Sequence, residues 1–101
     1  MPKLYKLFGI IFLFHSRDHD PVHIHARKSG RESKAEIVIE NGVIISIKIK
    51  TVQGKKPLIG NDMKYFEAFV KWKKEDIRKK WIDFYVNKIT PVMEEYFDIG
   101  E

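Results

Sequence analysis

The chain has 101 residues, 44% of them hydrophobic and 33% charged, which suits one compact domain and leaves no room for two independent cores. It contains no cysteine, which excludes disulfide frameworks, Cys-ligated zinc, iron–sulfur centres and thiol nucleophiles. Its formal net charge of +5, from 19 Lys plus Arg against 14 Asp plus Glu, leaves phosphate-bearing partners open.

Residues 4–14 are almost wholly apolar and aromatic, which predicts one strand covered on both faces. Lys3 and Lys6 before the apolar residues 7–14 resemble the start of a signal peptide. The apolar stretch is short, however, and His15-Ser16-Arg17-Asp18 offers no small-residue cleavage site. No run reaches the ~18 apolar residues of a membrane span, so the expectation is a cytoplasmic protein without membrane contact. Asp18-His19-Asp20-Pro21 is turn chemistry, because Asp closes local turns and Pro disfavours helix in the residue before it. Residues 22–28 then alternate, with Ile24 and Ala26 on one face and His23, His25 and Arg27 on the other.

Ser29-Gly30-Arg31 reads as a loop, and residues 34–40 as a strand with Ala35, Ile37 and Ile39 inward. Asn41-Gly42 is a strong hairpin signal, since a type I′ turn needs positive φ at both positions. Residues 43–50 form the return strand, with Val43, Ile45, Ile47 and Ile49 on one face. Beyond the Gly54–Gly60 connection the period becomes helical, from Asn61 or Asp62 as cap through Met63, Phe66, Phe69 and Val70. A second stripe of Ile77, Trp81, Phe84 and Tyr85 ends before Pro91, so residues 61–90 hold one bent helix or two short ones. Residues 91–101 are expected to be a short arm. The predicted class is α+β, a single domain over residues 1–101. It is built as a four-stranded antiparallel meander over about residues 4–50, with one or two helices packed on one face.

All four histidines fall between positions 15 and 25. His23 and His25 share a strand face about 6.6 Å apart along the strand, and a tight turn brings His15 back towards them. Three readings follow. In the first, Asp and His fix the turn and pack as half-exposed strand residues. In the second, His15, His19, His23 and His25, with Asp18 and Asp20 in reserve, hold a divalent metal such as zinc. In the third, His23 and His25 carry protons in RNA chemistry while Arg27 holds phosphate. A separate basic stretch offers Lys73, Lys74, Lys79 and Lys80 to nucleic acid, with Trp72 and Trp81 framing it. Lysine-rich helices are more often solvated faces, and tryptophans at such spacing more often anchor a core. Gly54-Lys55-Lys56 lacks the flanking residues of a phosphate-binding P-loop.

Asp18-His19-Asp20-Pro21-Val22-His23-Ile24-His25 resembles the signature of the small bacterial domain-of-unknown-function 4160 family, Asp-His-x-Pro-Pro-His-Phe-His. Gly9-Ile10 before it, Ala35 to Gly42 after it, and Trp72 and Trp81 extend the resemblance over residues 4–82. Val22 departs from the second proline, and the tryptophan spacing is shorter here. The family has no established activity. Its members are suspected of belonging to toxin–antitoxin-like gene pairs, so the resemblance implies a partner protein and RNA as a target. The resulting expectation is a toxin–antitoxin-like component acting on RNA or a partner protein through the His/Asp cluster. The alternative is a non-enzymatic metal-binding or protein-interaction module.

Overall fold

A computed structural model describes residues 2–15 and 21–100. Five strands follow one another: β1 (Lys3–Leu7), β2 (Ile10–Leu13), β3 (His23–Lys28), β4 (Arg31–Glu40) and β5 (Val43–Thr51). One helix, α1 (Gly60–Tyr85), comes next, and a short strand β6 (Glu94–Tyr96) closes the order. The strands form a single six-stranded sheet ordered β5-β4-β3-β2-β1-β6, antiparallel throughout except for the parallel β1–β6 pair. The protein is thus α+β with a mixed sheet, and the expected four-stranded meander is the coarser part of it.

The largest correction concerns residues 4–14, which form a hairpin instead of one strand. Phe8 (φ 51°) and Gly9 (φ 80°) make a two-residue turn with both residues left-handed, and the Phe8 ring lies against Tyr65 of α1 at 4.8 Å. Ser29-Gly30 (55° and 77°) and Asn41-Gly42 (51° and 80°) repeat the same conformation. Three connections therefore share one backbone conformation, a left-handed residue followed by a left-handed glycine, whose twist matches that of the flanking strands. Consequently β4 begins at Arg31, three residues earlier than the sequence pattern indicates.

The helix is continuous, so residues 61–90 hold one helix that stops at Tyr85. Its N-cap is Ile59, with no side-chain cap; Asp62 lies in the first turn and binds the Lys28 ammonium at 2.9 Å instead. Phe66, Phe69, Val70, Ile77 and Trp81 are its buried stripe, each contributing ~1.5–3 kcal/mol by leaving water. They pack on the sheet face that carries Phe12, whose ring stands 4.7 Å from Phe69 and 5.7 Å from Phe66. Past the helix, residues 91–100 are more than an arm. Tyr96 of β6 inserts its ring among Tyr5, Phe69 and Trp72 at 5.3–6.0 Å, and Lys80 binds Glu94 at 2.7 Å.

Candidate functional site

The register places the site. Phe12 pairs with Ala26 and faces the helix, so the next pair, Leu13 with His25, points to the opposite sheet face. Arg27 lies on that same face opposite Ile11, and across the β3–β4 ladder it is paired with Glu32. His15 follows Phe14, whose ring packs on Trp81 at 5.4 Å. The Tyr85 hydroxyl at the end of α1 donates to the His15 carbonyl, which fixes this residue where β2 ends.

Three side chains meet there. His25 donates from Nδ1 to Glu32 Oε2 at 2.9 Å, and His15 donates from Nε2 to the same oxygen at 3.1 Å. The two imidazoles are stacked, 3.6 Å between centroids and 15° from parallel. The His25 and Glu32 side chains are each only 5% exposed, whereas His15 is 34% exposed and forms the accessible side of the cluster. A carboxylate this deeply buried is stable only with donors around it, and the two imidazoles supply them. Binding each ring through one named nitrogen also fixes its tautomer and orientation.

His23 lies alongside without joining the shared oxygen. Its Nδ1 donates to the Pro21 carbonyl at 2.7 Å, and its ring sits 5.3 Å from His25 and 5.1 Å from Trp81. Asp18, His19 and Asp20, the other expected metal donors, lie outside the described residues. Glu32 is the member that sequence reasoning missed. It falls between the Ser29-Gly30-Arg31 loop and the strand expected from residue 34, and only a two-residue hairpin turn at Ser29-Gly30 sets it opposite Arg27 and beside His25.

Glu32 also lines a groove of about 410 Å³ together with Arg27, Lys28, Arg31 and Lys55. Gly9, Ile11, Ser29 and Gly30 complete its lining. Lys28 is held by Asp62, and the Arg31 guanidinium donates to the Pro57 carbonyl at 3.3 Å, so both cations are positioned by α1 and its approach. The helix lysines go elsewhere. Lys80 is bound by Asp76 and Glu94, Lys79 by Asp83, and Lys73 lies over the Trp72 and Tyr96 rings. Lys74 borders a different groove, against β5. Of the expected nucleic-acid contacts, Arg27 alone is brought to the histidines.

The donor set His15, His25 and Glu32, all within 4.8 Å of one another, is one that zinc or iron accepts. Imidazole lone pairs lie in the ring plane, and an ion midway between parallel rings would stand off each plane by half the ring separation. Binding a metal through the two nitrogens now facing Glu32 therefore requires at least one ring to tilt away from the stack.

No helix is long and apolar enough to cross a membrane among the described residues. No curated protein and no solved structure matches the chain. Residues 9–82, which carry the second and third hairpin turns, the histidine cluster, the basic groove and nearly all of α1, match the model of a domain of unknown function (DUF4160), and the chain belongs to that family.

Proposed function

We propose that the protein acts on RNA, binding a phosphodiester in the basic groove and moving protons through the histidine cluster beside it. One observation carries this reading: Glu32 belongs to both features, holding His15 and His25 with one oxygen while lining the groove of Arg27, Lys28, Arg31 and Lys55. In the reaction, a 2′-hydroxyl loses its proton to one imidazole and its oxygen bonds to phosphorus. The P–O bond to the 5′-oxygen breaks, and that oxygen takes a proton from a second imidazole. His15 is the accessible carrier, His25 is the ring oriented by Glu32, and His23 stands 5.3 Å from His25 as a further proton carrier. Arg27 offsets charge on the phosphorane. Such an activity suits the RNA-directed member of a toxin–antitoxin-like pair, the context the family resemblance implies.

The test is incubation of the protein with single-stranded RNA in EDTA, resolving products by their end groups. Products ending in 2′,3′-cyclic phosphate, lost in His25→Ala with the fold retained, support the reading. Absence of both cleavage and salt-dependent binding removes it. A metal-binding role is the second reading, favoured by the convergence of three donor atoms. Cleavage that needs a divalent ion, or a melting temperature raised by one equivalent of zinc, would put it first.

A further inference from the structure

Away from the histidine face, β5 ends the sheet and carries nine residues whose outer backbone edge pairs with no strand among the described residues. Beside it, a groove of about 440 Å³ runs between β5 and α1. Ile44, Ile47 and Ile49 supply its apolar floor, while Glu67, Lys71 and Lys74 stand on the α1 side. The spacing of those three helix residues, i, i+4 and i+7, puts them on one stripe. On the strand itself Val43 is 61% and Ile45 52% exposed. Ile45 is the extra residue where the β4–β5 register shifts between Val38 and Ile39.

We propose that this edge and groove receive an extended acidic segment of another protein, which adds a strand to β5 and places alternate apolar side chains over the isoleucine floor. Main-chain pairing gives such docking its affinity, and the groove selects side chains. Charge selects the occupant. Lys71 and Lys74 stand on the groove side against Glu67, while Lys48 and Lys50 lie on the other face of β5 against Glu36, which already binds Lys50 at 3.0 Å. A second copy pairing through β5 would bring the same lysines together across a two-fold axis. That repulsion and the bulge at Ile45 guard the edge against self-association, as lysines and bulges do on other exposed edges. An acidic strand meets the same lysines as attraction.

The probe is a ten-residue peptide alternating valine with glutamate, titrated into the intact protein and followed by backbone amide and isoleucine methyl NMR. Saturable shifts confined to residues 43–51 and 67–74 are expected. Affinity should fall about tenfold in the double variant Lys48→Glu, Lys50→Glu, on the face of β5 towards which the peptide's glutamates point. A peptide N-methylated at alternate residues, which cannot donate to the ladder, should lose the shifts at β5. Equal binding of the N-methylated peptide, or of a valine–lysine peptide, overturns the proposal, as does the absence of saturation at millimolar peptide. A concentration-dependent dimer whose interface shifts map to β5 assigns the edge to a second copy and overturns it too. None of these readings depends on RNA, so the proposal stands or fails apart from the activity of the histidine face.

Discussion

The imidazoles of His15 and His25 lie 3.6 Å apart, face to face, and both donate to one oxygen of Glu32. Both rings depend on that single buried acceptor, which ties the stack together. Removing the acceptor therefore affects both rings. Glu32→Ala should cost about 1–3 kcal/mol in urea denaturation, and Glu32→Gln less, because the amide oxygen still accepts. A change within about 0.5 kcal/mol for Glu32→Ala, the range of an ordinary surface substitution, would show that the carboxylate holds nothing together.

A second cluster sets the pH range of stability. Burial pushes the Tyr5 hydroxyl far above its ordinary range, helped by its hydrogen bond to Asp76. For Asp76, burial opposes ionisation but is outweighed by the hydrogen bonds from Lys80 and Tyr5, which hold the carboxyl below its usual value. Lys80 is likewise raised by Asp76 and Glu94 despite burial, and Glu94 is lowered chiefly by its bond from Lys80. The depressed carboxylates contribute stability above ~pH 4–5 that is lost as pH falls through their folded values. The raised Lys80 and Tyr5 contribute stability below ~pH 10 that is lost as pH rises. The contribution of this cluster should therefore be flat between about pH 5 and 10 and fall on both sides. Lys80→Met should cost on the order of 1 kcal/mol at neutral pH and flatten the acid side, while the Tyr5 contribution to the alkaline side persists. An acid side unchanged by Lys80→Met would separate acid unfolding from this cluster.

The first hairpin depends on backbone freedom at one glycine. Gly9 has φ +80°, and a Cβ there would meet Lys28 Cε at 3.4 Å. Gly9→Ala should cost ~1–2 kcal/mol from the left-handed conformation alone. Truncating Lys28 to alanine in the same chain relieves the contact and not the backbone, so most of the loss should remain. Thermal melts of the single and double variants measure the division, and full recovery in the double variant would place the cost in the contact.

RNA binding offers a separate comparison between two basic regions. If the groove beside Glu32 carries the phosphate, Arg27→Ala should weaken binding to every sequence and lower the slope of log K against log salt by about 1. Lys79→Glu should matter little, since that side chain is already occupied by Asp83 on the exposed side of α1. Filter binding at several salt concentrations distinguishes them, and the reverse ranking would move the interface to the helix.

Much of this molecule was legible from residue order. The alternation of His23 to Arg27 and of Ala35 to Ile39, the Asn41-Gly42 turn and the helical stripe from Phe66 to Trp81 each follow from local periodicity and turn chemistry. These signals gave the α+β class and put His23, His25 and Arg27 on one strand face. Residues 4–14 could not be divided the same way, because phenylalanine is not a turn residue. Phe8 adopts a left-handed conformation with its ring packed on Tyr65, a partner 57 positions along the chain. The missed turns had a consequence for chemistry, since pairing register decides which side chains meet. Sequence alone determined that the histidines crowd around one turn and its strand. Only tertiary structure decided that His15 and His25 share Glu32, and that Glu32 opens onto a cationic groove, because those contacts are made across strands, where local pattern carries no information.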